Sequence, residues 1–152
     1  MCLKTEGVVS MYLHNLFVYG TLLPGLTNYN RFIEAHKPKT FSARARGILY
    51  YLPEDGYPVV LEGDGTVLGV LYETRELMSI LPEIDDIEKF TGVESQSDLI
   101  REIMDVENLD TGTTVKAHMY LWPPSKAAWL KENGEIIVDG DWAKFLREKN
   151  KG

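Results

Sequence analysis

The stretch from Phe41 to Tyr72 constrains the fold most, because strand-like segments follow one another there with only turn residues between them. Phe41 to Leu52 reads as a strand, with Ala and Arg alternating before Gly47. Pro53-Glu54-Asp55-Gly56 is a turn in which Pro supplies a fixed φ and Gly tolerates a positive one. Tyr57 to Leu61 reads as a short strand, Gly63-Asp64-Gly65 as a hairpin signal, and Val67 to Tyr72 as the next strand.

The flanking sequence adds helices and more strands. Leu16-Phe17-Val18-Tyr19 is a continuous apolar run of the kind found in a strand buried on both faces, and Gly20 ends it. The loop Thr21 to Asn28 carries the breakers Pro24 and Gly25, and Asn28 is placed to cap a helix running to about His36. Glu76 to Phe90 has helical periodicity interrupted by Pro82. A proline in a helix interior costs about 3 kcal/mol, so two pieces or a kink are expected, with Pro82 in the first turn of the second piece. Leu99–Val106 and Thr114–Trp122 read as strands around the turn Asn108 to Gly112. Pro123-Pro124 stops the sheet, Lys126 to Glu132 reads as a short helix, and Asp141 as the cap of a last helix from Trp142 to Glu148. This order predicts a mixed α+β domain with a curved or barrel-like sheet and flanking helices.

A chain of 152 residues argues for one domain, assigned to residues 15–152. Residues 1–14 read as an N-terminal extension, with Met11 an alternative start. The apolar fraction of 44% excludes a disordered chain, and the net charge of −7 without a Lys/Arg run argues against nucleic acid as a partner. The single cysteine, Cys2, cannot form an internal disulfide, and no apolar run approaches the roughly 20 residues that span a bilayer. A cytoplasmic protein without a membrane partner is the expectation, and a homodimer is left open.

The residue types point away from several chemistries. No Gly-x-Ser-x-Gly elbow is present. His14, His36 and His118 lie far apart without metal-ligand spacing and read as surface or strand histidines. Glu83, Asp85, Asp86 and Glu88 cluster after Pro82. They fit a solvated helix face better than a metal site, for which no loop pattern exists. Glu88 stands apart. Leu77, Leu81, Ile84 and Glu88 fall on one helical stripe, while Glu83 and Asp86 point away. A carboxylate on a core-facing stripe loses solvation, its pKa rises, and it becomes a better base at neutral pH. The competing reading is a boundary residue paired with an arginine such as Arg101, and the periodicity weighs both equally. The loop Tyr19-Gly20-Thr21-Leu22 can present free N–H groups to an anion, or can simply join strand to helix.

Together these segments resemble the gamma-glutamylcyclotransferase-like family, in its gamma-glutamylamine cyclotransferase branch. The resemblance rests on Val18-Tyr19-Gly20-Thr21-Leu22 continued by Gly25 and Asn28, on Gly56-Tyr57-Pro58 with Val59-Val60, on Val67-x-Gly69-x-Leu71-Tyr72 followed by Ile84-Asp85-Asp86-Ile87-Glu88, and on Gly140-Asp141-Trp142. It implies a small mixed barrel with a cavity at one mouth and release of 5-oxoproline from gamma-glutamyl compounds. It implies Glu88 as general acid/base and Tyr19, Gly20, Thr21 and Leu22 as the substrate loop, with no metal and no cofactor. Arg101 is expected to hold Glu88 or a substrate carboxylate. The sequence departs from the family twice: Leu99 stands where a Tyr is common, and Lys89 follows the glutamate where a Gly is common. Two other readings are a non-catalytic module that binds small carboxylates on the same fold, motivated by Leu99, and an interaction domain using exposed Trp129 and Trp142.

Overall fold

A computed structural model describes residues 14–20, 23, 33–54, 56–93 and 97–151. The expected extension and the helix capped by Asn28 lie outside these residues, apart from His14 and a short 3-10 turn at Glu34–His36. The strands are β1 (Asn15–Val18), β2 (Lys39–Leu52), β3 (Tyr57–Glu73), β4 (Ile100–Asn108), β5 (Thr113–Leu121) and β6 (Glu135–Ile136). The helices are α1 (Leu77–Ile87), α2 (Ala127–Asn133) and α3 (Trp142–Lys151). The sheet order is β3-β1-β5-β4-β2, and β2 pairs back onto β3, so five strands close into a barrel with β6 on the flank of β2. Only the β1–β5 neighbours run parallel. The expected mixed barrel with flanking helices is the observed fold.

β1 is buried on both faces, and each face meets a different core. Phe17 and Tyr19 join Ala43, Val67, Val106 and Met119 in a cluster fed by all five barrel strands, which is the barrel interior. Leu16 and Val18 join Leu77, Ile80, Leu81 and Ile84, the layer between barrel and α1. This is why β1 reads as an unbroken apolar run rather than an alternating one.

Two expectations fail at this level. Gly63-Asp64-Gly65 is not a hairpin, because β3 runs through it with β2 as partner on both sides. Leu61 pairs with Ile48 and Thr66 with Arg46, so residues 62–65 bulge opposite Gly47 alone. The glycines serve close backbone approach instead of chain reversal: a Cβ at Gly65 would stand 2.6 Å from the Gly47 carbonyl oxygen. Pro82 does not divide its helix. α1 is one helix with Pro82 on the exposed face, and Leu77, Ile80, Leu81 and Ile84 anchor both sides of it to the same core.

The remaining elements follow their local signals. The β4–β5 turn is held by Asn108, whose Oδ1 accepts from the Asp110 and Thr111 N–H groups at 3.0 and 3.1 Å. Asp141 caps α3 by accepting from the Lys144 N–H at 3.0 Å. Gly140 has φ +66°, and a Cβ there would lie 1.9 Å from the Thr66 carbonyl oxygen. Trp142, read as exposed, is buried and stacks on Tyr51 with ring centroids 5.9 Å apart, so it cannot serve an interaction surface. Trp129 is 47% exposed. Among the described residues no helix is long and apolar enough to cross a membrane.

Candidate active site

The site is built where β1 ends and α1 ends. β1 delivers Tyr19 and Gly20 to the barrel mouth. Gly20 is required there by packing: a Cβ would lie 2.5 Å from Pro58 Cγ, so the side open to a side chain is filled by β3. Thr21 and Leu22 lie outside the described residues. Leu23 donates its N–H to the Gly20 carbonyl at 3.0 Å.

α1 delivers Glu88 by a specific C-terminal turn. Phe90 N–H donates to the Asp85 carbonyl at 2.8 Å and Lys89 N–H to the Asp86 carbonyl at 3.3 Å. This is the paired hydrogen-bond pattern in which the residue after the cap adopts a left-handed conformation. That residue is Lys89, with φ +59°. The geometry explains why glycine suits this position and why Lys89 carries backbone strain there. Glu88 occupies the cap itself, continuing the buried stripe of Leu77, Leu81 and Ile84, while Glu83 and Asp86 are exposed.

Between these two ends lies a cavity of about 230 Å³, lined among others by Tyr19, Gly20, Tyr57, Pro58, Glu88 and Tyr120. Leu99 forms an apolar part of its wall. Glu88 is half-buried, and among the described residues its carboxylate makes no hydrogen bond or ion pair. Burial without a compensating partner pushes its carboxyl up to about 7. The Tyr19 hydroxyl donates to the Tyr120 carbonyl at 2.8 Å, so its proton is engaged within the protein. Burial raises that hydroxyl well above the ordinary tyrosine range, and the Glu88 carboxylate adds to the effect.

Arg101 does not reach Glu88. The β4–β5 register sets it opposite Tyr120, beneath the preceding turn of α1. There it pairs with Asp85 through two N–H donors, at 2.7 and 3.1 Å, and approaches His118 Nδ1 at 2.9 Å. The Tyr120 hydroxyl donates to Asp85 Oδ1 at 2.5 Å. Asp85 is therefore part of a half-buried network, not of a solvated helix face. His118, read as a surface or strand histidine, is buried on β5, and desolvation followed by the Arg101 charge lowers its pKa to about 4. With Nδ1 accepting from Arg101, the neutral ring carries its proton on Nε2, which has no partner among the described residues.

Sequence reasoning missed Asp85, His118 and Tyr120. Asp85 and Arg101 were visible as residues, but their pairing depends on where α1 lies across the β4–β5 hairpin. Alternation along β5 was the available signal, since it puts His118 and Tyr120 on one face.

Comparison with known proteins agrees with this architecture. Residues 16–144 match the family model described as gamma-glutamyl cyclotransferase, AIG2-like. No curated protein sequence matches the chain. Among solved structures, YkqA from Bacillus subtilis is 24% identical with a TM-score of 0.65, over 91% of this chain and 43% of that one. The chain thus spans less than half the length of YkqA. An uncharacterized protein from Pyrococcus horikoshii, PH0828, is 20% identical with a TM-score of 0.58, over 91% and 97% of the two chains. An AIG2-like protein from Mus musculus is 18% identical with a TM-score of 0.56, over 85% and 87%. At these identities the structures speak to the fold, and the family model to the sequence. With the barrel, the cavity and the half-buried Glu88 in view, the chain belongs to the gamma-glutamyl cyclotransferase, AIG2-like family.

Proposed function

We propose that this chain releases 5-oxoproline from a gamma-glutamyl compound, of the gamma-glutamylamine type, with Glu88 as general acid/base. The observation that carries the reading is a carboxylate held in the cavity opposite the Gly20 turn, with its pKa raised to about 7 by burial. A base of that pKa suits proton transfer at neutral pH.

The reaction requires no enzyme nucleophile. The substrate's α-amine attacks its own γ-carbonyl carbon, a C–N bond closes the five-membered ring, and the bond to the leaving amine breaks. Well-oriented intramolecular attack reaches effective molarities on the order of 10⁵ M. Glu88 takes one proton from the α-ammonium to free the attacking amine and passes it to the leaving nitrogen; the second proton, shed by the ring nitrogen after attack, follows the same route, so the ring ends as a lactam N–H and the amine leaves as an ammonium. The backbone N–H groups from Gly20 to Leu22 donate to the developing oxyanion and to the substrate carboxylate. Removing one well-placed donor of this kind costs roughly 3 kcal/mol of transition-state stabilisation. Tyr19 shapes the pocket wall. Arg101 serves from behind, through Asp85 and His118, rather than by touching Glu88.

The test is release of 5-oxoproline from gamma-glutamyl amines and dipeptides by the purified protein, with Glu88→Gln as control. Turnover that is unchanged in Glu88→Gln defeats the mechanism, because the amide is nearly isosteric and cannot act as base. Binding of small carboxylates without any turnover favours the non-catalytic module.

A further inference from the structure

Tyr120 lines the cavity, and the single proton of its phenol is already committed. Tyr120 Oη donates to Asp85 Oδ1 at 2.5 Å, and Asp85 is held in place by two N–H groups of Arg101. A hydroxyl has one donor and two acceptor sites, so this oxygen can only accept from anything on its cavity side. The Tyr19 hydroxyl proton is likewise committed, to the Tyr120 carbonyl. Asp85 and Arg101 therefore decide the polarity of a group in a cavity they do not line.

We propose that Asp85 is a positioning residue that fixes Tyr120 Oη as an acceptor, and that this oxygen recognises an N–H group of the ligand: the α-ammonium of a gamma-glutamyl substrate and the lactam N–H of its cyclised product. This rests on the functional reading above. It adds Tyr120 as a specificity-determining contact and Asp85 as the residue acting through it. A donor hydroxyl at that position would favour a ligand oxygen instead. A carboxylate paired to a cation holds the phenol proton more firmly than a neutral acceptor would, since charge-assisted hydrogen bonds are the stronger kind.

The experiment compares two ligands of one shape, 5-oxoproline and 5-oxotetrahydrofuran-2-carboxylate, in which a ring oxygen replaces the N–H. Dissociation constants are measured by calorimetry for the wild-type protein, Tyr120→Phe and Asp85→Asn. The wild type is expected to prefer the lactam by roughly five-fold, the contribution of one hydrogen bond. Tyr120→Phe, which leaves the Asp85–Arg101 pair intact, is expected to lower that preference by the share Tyr120 supplies, leaving only what Glu88 contributes to N–H recognition. In Asp85→Asn the amide can donate to the phenol oxygen and free its proton toward the cavity, so the preference shrinks or reverses. Fold loss alone would weaken both ligands together and leave their ratio unchanged. A lactam preference that is undiminished in Tyr120→Phe overturns the Tyr120 contact. A preference lowered in Tyr120→Phe but kept in Asp85→Asn overturns the role of Asp85. If neither ligand binds the wild type, the functional reading falls and the proposal falls with it.

Discussion

Asp85 and Glu88 sit on the same helix, three residues apart, and are treated in opposite ways by the fold. Asp85 is surrounded by donors: two N–H groups of Arg101 and the hydroxyl of Tyr120. Glu88 lines a cavity and, among the described residues, its carboxylate has neither a hydrogen bond nor an ion pair. The first carboxylate is a structural clamp that ties α1 to β4 and β5. The second is kept half-dry and unpaired, a condition that costs stability and makes a usable base. Two like residues on one helix thus separate into support and chemistry according to what the barrel places beneath each.

The sharpest way to break this contrast is to neutralise each carboxylate in turn. Glu88→Gln should lower 5-oxoproline release by about 10²–10⁴-fold with the fold intact, measured as kcat/KM alongside far-UV circular dichroism. Asp85→Ala should instead damage the fold. It leaves Arg101 half-buried without its carboxylate, and urea denaturation should show a loss of about 3 kcal/mol. If Asp85→Ala melts like the wild type, the clamp is not one.

The pH dependence sharpens the contrast further. In the proposed reaction Glu88 acts first as a base, so kcat/KM should rise about ten-fold per pH unit on the acid side and level off above about pH 7. Stability should run the other way. The folded-state pKa of Glu88 is raised, so its protonated form favours the native state. That contribution is complete below the ordinary glutamate value of 4.5 and is lost as pH rises through about 7. His118 has a depressed pKa, so it opposes this trend: its contribution is present above 6.5 and is lost as pH falls through about 4. Referring wild-type melting temperatures to those of Glu88→Gln at each pH cancels the histidine. The wild type should fall relative to the variant between pH 4.5 and 7.5, and a flat difference would remove Glu88 from the buried site.

The smallest effect concerns the turn that presents Glu88. Lys89 holds φ +59°. Lys89→Gly should relieve left-handed strain, partly offset by the greater backbone freedom of glycine in the unfolded chain, for a net gain of about 0.5–1 kcal/mol in chemical denaturation. A loss of stability would mean that the lysine side chain contributes more than its backbone conformation costs.

What could be read without coordinates was local. The stripe Leu77, Leu81, Ile84 and Glu88 placed the carboxylate toward the core because helical periodicity depends only on neighbours a few residues away. The Asp141 cap and the Asn108 turn were legible for the same reason. The glycines at 63 and 65 misled because glycine marks two different needs, a turn and a close approach, and only the partner strand distinguishes them. Pro82 misled because its local penalty is outweighed by an apolar stripe on both sides of it. Of the two carboxylates expected for Arg101, Glu88 and one from the substrate, the first is overturned: Arg101 pairs with Asp85, a difference of one helical turn that depends on how α1 lies across the hairpin.

The sequence by itself therefore determined most of the elements, their order, a curved or barrel-like sheet and the inward side of α1. Propensity, periodicity and turn chemistry act over a few residues and are written in the chain. Only the tertiary structure decided which acid is paired, which tyrosine proton is committed and where the cavity opens. Those outcomes depend on contacts between residues such as Asp85, Arg101 and Tyr120, distant in sequence and joined by strand register. Burial and charge pairing, which set the chemistry of each carboxylate, are properties of that assembled environment.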